Sequence, residues 1–366
     1  MMEFSPVHLP FHGGQLRKIE ERFGIPASEL LDFSANINPE GPPASVRMAL
    51  HLAVDEPSIL MNYPDLDEVE LRQSFARYAG VRTANVAVAN GFVPLLDAAL
   101  RVLAIRRCLV PVPAFVEYRR TLERSHVEMI PHTPGACSDF SLHAGDLFRE
   151  PCDAILLANP QNPSGALSSR DALLQIAEEA EKRNIYLFLD EAFIDYSPET
   201  SLTREIDRFP NLIVFRSVTK FFAMAGLRVA YAAANADLCK QMREAIAPWS
   251  VTSLASLAAG LAVQDQAYAQ RTVAINEERR GKLHAAIVKL GIHVYPSAAN
   301  FLLLRLPSSI DCREVWECLL RKHRIVLRLC ANYEGLGDGH LRAAVRTGAE
   351  NERLIEALAC ELESRR

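Results

Sequence analysis

Three short stretches of this 366-residue chain carry side chains that could act together on one small molecule. In Ser217-Val-Thr-Lys220 and the Gly226-Leu-Arg228 that follows, an amine able to attack a carbonyl carbon stands beside a hydroxyl and a guanidinium able to clamp a phosphate. In Leu189-Asp190-Glu-Ala-Phe193 a carboxylate closes an apolar run, where it can keep a heterocyclic nitrogen protonated and make the ring an electron sink. In Asn159-Pro-Gln-Asn162-Pro-Ser-Gly165 the Asn162 amide sits in a tight loop and can donate to a phenolate oxygen. Singly, each pattern is weak: a lysine beside hydroxyls is usually solvated, Asp-Glu after a strand usually caps a helix, and Asn-Pro is usually a turn. Their order is what matters, because each follows a run that reads as a strand.

Those runs are 86–89, 108–112, 127–130, 154–158, 185–189, 212–215 and 229–233, with amphipathic stretches at 94–106, 115–124 and 168–183 between them. Repeated β-α-β alternation predicts an α/β fold, a mostly parallel sheet covered by helices on both faces. Ligands of such sheets bind in the crevice outside the C-terminal ends of the strands. Beyond Val251 the pattern changes to a long helical region at 254–290, then strands at 293–295, 301–306, 325–329 and 341–345 with helices at 313–323 and 351–363. The predicted organisation is a large domain over 39–265 and a smaller α+β domain over 266–366, joined by an N-terminal arm, 1–38.

The three motifs together resemble the aspartate-aminotransferase-fold enzymes that use pyridoxal 5′-phosphate, over nearly the whole chain. That resemblance implies a three-layer α/β/α large domain, with Lys220 as the lysine bonded to the cofactor aldehyde. Asp190 would partner the pyridine nitrogen, Asn162 the phenolate oxygen, and Ser217 and Arg228 the phosphate. The Asn90-Gly91-Phe92 backbone at a helix start would add N–H donors to that phosphate. Phe115 matches the aromatic stacked on the ring. Tyr63, in Tyr63-Pro-Asp, matches a residue reaching the phosphate of a neighbouring subunit, which implies a homodimer with shared sites. The sequence departs from the pattern after Asn90-Gly91, where Phe92-Val-Pro replaces the usual hydroxyl and acidic side chains.

Within that family the chain is similar both to threonine-phosphate decarboxylases and to histidinol-phosphate aminotransferases. His12-Gly13-Gly14, Leu31-Asp-Phe-Ser-Ala-Asn-Ile-Asn38-Pro, Phe193 where aminotransferases usually place tyrosine, Pro248-Trp-Ser-Val251, and Leu327-Arg328-Leu-Cys330-Ala-Asn-Tyr-Glu-Gly335-Leu followed by Leu341-Arg342-Ala-Ala-Val-Arg346-Thr tilt toward the decarboxylases. A phosphorylated amino acid needs two cationic anchors: Arg342 matches the fork for its carboxylate, and Arg328, with His12 and the Gly13 backbone, matches the distal phosphate site. The implied reaction is decarboxylation of O-phospho-L-threonine to (R)-1-amino-2-propanol O-2-phosphate in cobalamin biosynthesis. Transamination of histidinol phosphate with 2-oxoglutarate and decarboxylation of O-phospho-L-serine are the alternatives. The choice turns on which bond at Cα stands perpendicular to the cofactor ring, and a rotation about one bond is not written in residue identities.

Composition narrows the rest. With 49% hydrophobic and 23% charged residues, the chain is an ordinary globular protein, and a net charge of −5 gives no basic field for nucleic acid or anionic lipid. Eight scattered cysteines without a Cys-x-x-Cys pair point to free thiols in a reducing cytoplasm. No targeting or membrane-spanning run is expected. His8 and His12 are four apart, but nothing else supports a metal there.

Overall fold

A computed structural model describes residues 12–133, 139–140, 142, 144–363 and 365. In chain order its strands are β1 (Leu31–Asp32), β2 (Val86–Ala89), β3 (Arg107–Pro111), β4 (Glu128–His132), β5 (Ala154–Ala158), β6 (Tyr186–Asp190) and β7 (Leu212–Ser217). They continue with β8 (Ala230–Ala233), β9 (His293–Val294), β10 (Phe301–Arg305), β11 (Ile325–Val326), β12 (Arg328–Leu329) and β13 (His340–Ala344). The seven-stranded sheet has the order β2-β8-β7-β6-β5-β3-β4 and is parallel except for β8, antiparallel to both neighbours. This is the mostly parallel α/β sheet that the alternation of runs calls for.

Apolar side chains alternate across it with period two. Phe188 and Phe215 enter the core beside Leu95 and Tyr118, which come from helices Phe92–Val102 and Val116–Arg124. Leu187, Leu189 and Val214 meet Leu173 and Ile176 of helix Arg170–Lys182 on the opposite face. Ser169 caps that helix by accepting from the Ala172 N–H at 3.2 Å.

The register places Ala158, Asp190 and Phe215 side by side on β5, β6 and β7. The loops that leave these strands therefore open at one edge of the sheet, which is where all three sequence motifs lie.

A second sheet, β12-β13-β10-β9, is antiparallel and packs against helices Cys312–His323 and Gly348–Glu363 through Trp316, Leu319, Leu341 and Leu358. The described part of the N-terminal arm joins this core through Ile19 and Phe33, and β1 pairs in parallel with β11. Residues 1–11, His8 among them, lie outside the described residues. Asn38, at the foot of the arm, donates its N–H to the Lys220 carbonyl at 3.1 Å and its amide to the Phe221 carbonyl at 3.0 Å.

Two elements differ from the sequence reading. The single helix expected over 254–290 is two, Ser253–Ala262 and Gln266–Lys289, because the Asp265 carboxylate accepts from the Tyr268 N–H and starts a new helix inside the apolar run. The strand expected over 325–329 breaks at Leu327, so that β11 pairs with β1 while β12 pairs with β13. Helices Ala44–Val54 and Val69–Ala79, which the pattern did not reveal, pack against Ser253–Ala262.

Candidate functional site

Asp190 is the last residue of β6 and is buried. Its Oδ1 accepts from the Ala192 N–H at 2.9 Å and its Oδ2 from the Tyr118 hydroxyl at 2.5 Å. Burial raises the carboxyl pKa, and Tyr118, the nearby Lys220 and the Ala192 N–H oppose that rise. Lys220 leaves the loop after β7 with its Nζ 3.4 Å from Ser217 Oγ and 5.6 Å from the centre of the Phe193 ring. Burial lowers the amine's pKa; Asp190 pulls it back up, while Arg228 and Arg342 press it further down. A desolvated lysine is the form that attacks carbonyl carbon. Ser217 is fixed by Thr219, their hydroxyls 2.8 Å apart.

Gly91 precedes helix Phe92–Val102 at φ 124°, in a conformation that other residues rarely adopt. A Cβ there would lie 2.8 Å from Arg228 Nη2. A guanidinium thus rests against the start of a helix whose first turn has no side-chain cap and no acidic residue. The departure after Asn90-Gly91 noted in the sequence accordingly leaves the backbone donors of that helix open to an anion. Phe92 and Phe115 both lie against Tyr118, with ring centroids at 5.5 and 5.7 Å.

At the other end of the crevice two arginines meet. Arg342 on β13 and Arg328 on β12 are register partners in an antiparallel pair, and each is only 4% exposed. Like charges placed opposite one another across a sheet are destabilising. Arg342 donates to Asn162 Oδ1, to the Ser34 carbonyl at 3.0 Å and to the Tyr333 hydroxyl at 3.4 Å, all neutral oxygens, and its buried Nε has no hydrogen-bond partner. Arg328 donates to Asn332 Oδ1 at 2.7 Å and lies 5.2 Å over the Tyr333 ring. Burial, and to a smaller degree Arg342, disfavours its ionised form.

Gly13 packs so closely on Ser34 that a Cβ would come within 2.0 Å of the same carbonyl that accepts from Arg342. His12 shares the neighbourhood of Arg328, but its Nε2 is 2.8 Å from Glu117 Oε1. Burial lowers the imidazole pKa, against an upward pull from Glu117. A carboxylate beside His12 works against anion binding by that side chain, which the sequence did not reveal. A cavity of about 1110 Å³ flanks this end, lined by His12, Ser34, Arg328 and Asn332. Lys220 and Asp190 are not among its walls, so the cavity adjoins the chemistry without containing it.

The folded chain thus gathers Lys220, Ser217 and Asp190 at the strand ends, Gly91 with Arg228 beside them, and Asn162 with Arg342 and Arg328 across the crevice. Tyr63 stands apart: it is 80% exposed and packs on Trp249 at 4.8 Å. Sequence reading missed Tyr118 and Tyr333. The signal for Tyr118 was present, since Phe115-x-x-Tyr118 at a helix start puts both rings on one face. Nothing in the spacing marked Tyr333.

The aminotransferase class I and II model matches residues 28–358. The chain belongs to that family. It is 38% identical over 353 residues to the threonine-phosphate decarboxylase of Salmonella typhimurium, covering 95% of both chains. The crystal structure of the histidinol-phosphate aminotransferase from Clostridium acetobutylicum is similar at TM-score 0.85 and 27% identity, over 92% of this chain and 100% of that one. That of L-threonine-O-3-phosphate decarboxylase from Porphyromonas gingivalis gives 0.80 and 25%, over 90% and 99%.

The cofactor of the family is pyridoxal 5′-phosphate, and the residues present fit it. The Gly91–Arg228 cradle suits a phosphate, Asp190 offers a buried acceptor to a ring nitrogen, and the desolvated amine of Lys220 suits an aldehyde. Among the described residues no helix is long and apolar enough to cross a membrane.

Proposed function

We propose that the protein decarboxylates O-phospho-L-threonine, releasing carbon dioxide and (R)-1-amino-2-propanol O-2-phosphate, as a cytoplasmic step of cobalamin biosynthesis. The observation that carries this reading is the buried cross-strand pair of Arg328 and Arg342. Two buried arginines at register positions of one antiparallel pair offer two anchors to a ligand with two anionic groups, and a phosphorylated amino acid has a carboxylate and a phosphate. Histidinol phosphate has only the phosphate, but the glutamate and 2-oxoglutarate of its transamination carry two carboxylates. What favours the phosphorylated amino acid over that pair is the 38% identity to the threonine-phosphate decarboxylase of Salmonella typhimurium.

In this reading Arg342 takes the carboxylate and Arg328 the phosphate. Fixing both ends of the substrate sets the rotation about its Cα–N bond, and so which bond at Cα is aligned to break. When bound, the cofactor supplies the electron sink for the pair left by the departing carboxylate. Asn162, held by Arg342 through its carbonyl oxygen, keeps its amide hydrogens for the phenolate oxygen. Lys220 would take up the proton that the substrate's ammonium gives up on binding and deliver it to Cα once carbon dioxide has left, and the lowered pKa of its amine makes it a ready donor. Tyr63 would reach the cofactor phosphate of a second subunit, and the exposed Met48, Leu52, Leu60 and Met61 supply apolar surface for such a homodimer.

The test is to supply O-phospho-L-threonine with and without 2-oxoglutarate and follow carbon dioxide and amine phosphate. Steady release of both without a keto acid supports the decarboxylase. Glutamate formed from 2-oxoglutarate only with histidinol phosphate would replace it by an aminotransferase, a reading favoured by the structural likeness at TM-score 0.85. O-phospho-L-serine differs by one methyl, a contact worth about 1–3 kcal/mol, and ranks as the second substrate to try.

A further inference from the structure

The geometry points to Tyr118 as a positioning residue that sets the charge state of the cofactor's ring nitrogen through its hydrogen bond to Asp190 Oδ2. This rests on the reading of Asp190 as the ring-nitrogen partner. The Tyr118 hydroxyl lies 2.5 Å from Oδ2, and the only other hydrogen bond described to this carboxylate is the Ala192 N–H at Oδ1. A buried carboxylate stays ionised only as far as donors and cations stabilise its charge. Of those here, the Ala192 N–H is fixed by the backbone and Lys220 would be consumed by bonding to the aldehyde. Tyr118 is the side-chain donor that remains available throughout.

Its hydroxyl is a permanent donor: burial and the neighbouring Asp190 push its own pKa well above the usual range for a phenol. Its ring is held on two sides. Phe115 meets it edge-on at 5.7 Å and Phe92 lies tilted at 5.5 Å, while the ring itself is 1% exposed. Phe115 is the N-cap residue of the helix that carries Tyr118, and its carbonyl accepts from the Tyr118 N–H at 2.9 Å, so the aromatic wall beside the cofactor and the donor to Asp190 are tied into one unit. The sequence spacing Phe115-x-x-Tyr118 therefore has a chemical use beyond packing.

The consequence has a definite sign. A proton shared between a ring nitrogen and a carboxylate moves toward the stronger base. Removing the Tyr118 donor makes Asp190 more basic, so the proton shifts toward Asp190 and the ring becomes a weaker electron sink. Tyr118→Phe keeps the ring and both aromatic contacts and deletes one oxygen.

The experiment reconstitutes wild type, Tyr118→Phe and Asp190→Asn with pyridoxal 5′-phosphate carrying 15N in its ring and records the 15N shift by NMR. The wild type should report a pyridinium nitrogen, and Tyr118→Phe a shift toward the unprotonated ring. It should also show about a tenfold or greater loss in kcat with KM little changed. A site-specifically fluorinated tyrosine at 118, a stronger donor that preserves the ring, should hold the nitrogen in the pyridinium form where Tyr118→Phe does not, and guards against a folding artefact. If Asp190→Asn moves the 15N signal while Tyr118→Phe leaves it at the wild-type value, the inference about Tyr118 is overturned and Asp190 keeps its assignment. If neither substitution moves it, the assignment of Asp190 falls as well.

Discussion

Strands β6 and β7 carry two buried charge clusters back to back, and the two are built on opposite terms. Asp190 and Ser217 face the crevice, whereas their sequence neighbours Glu191 and Arg216 enter a closed network. There Arg216 meets Asp195 at 2.5 Å and Glu191 at 3.5 Å, and Tyr78 donates to Asp195 at 2.6 Å. Glu191 also accepts from Ser201 Oγ at 2.6 Å and the Leu202 N–H at 2.8 Å. In the crevice, by contrast, Arg342 has only neutral partners, and Arg328 is its cross-strand neighbour. Opposite charges in contact hold a wall in place; Arg342, with neutral partners alone, keeps its charge for a ligand. Alternation along a strand lets one short segment do both.

The largest way to break that comparison is at Lys220. Lys220→Ala should cut carbon dioxide release by about 10⁴-fold without lowering the apoprotein's urea midpoint at neutral pH, since the amine is desolvated and its described side-chain hydrogen bond is one of 3.4 Å to Ser217. Activity surviving above about a hundredth of wild type would remove Lys220 from the chemistry. Next in size is the closed network. Arg216→Met strands Asp195 and Glu191 as buried charges and should cost about 3–5 kcal/mol in a urea titration. Arg342→Met, which relieves an uncompensated cation, should cost no more than about 1 kcal/mol. Equal losses at the two positions would mean that both clusters are structural.

Most of the crevice was legible before the structure, because its residues sit in motifs anchored to strand ends. The order of Asn162, Asp190 and Lys220 along the chain fixed three loops, and parallel register did the rest. The closed network was not legible. Glu191 looks like half of a common Asp-Glu pair, and Arg216, Asp195 and Tyr78 are brought together only by tertiary packing. The pairing of Arg328 with Arg342 was hidden for a related reason. The run at 325–329 reads as one strand, and only the break at Leu327 aligns Arg328 with β13. The salt bridge between His12 and Glu117 joins positions 105 apart with no local pattern to announce it.

A smaller effect sharpens the role of Arg342. Arg342→Lys keeps the charge but loses the planar fork, and should lower kcat/KM for O-phospho-L-threonine by about ten- to a hundredfold. Its affinity for pyridoxal 5′-phosphate should be unchanged. A loss of cofactor binding instead would move Arg342 from the substrate to the cofactor.

The smallest effect is read from stability against pH with the cofactor removed. Burial lowers the Lys220 pKa in the folded chain, so the folded protein binds this proton less readily than the unfolded one. Between the lowered folded value and about 10.4, the value for an exposed lysine, the unfolded state holds more protons and stability rises with pH. Lys220→Met abolishes that titration. The wild-type apoprotein should therefore gain on the variant as pH climbs through this window, measured as the difference of their urea midpoints. Closed clusters predict the reverse: a lysine gaining a carboxylate partner would lose its contribution as pH rises through its folded value. A flat or falling difference would thus place Lys220 with the matched charges, and the contrast between the two faces of β6 and β7 would fail at its central residue.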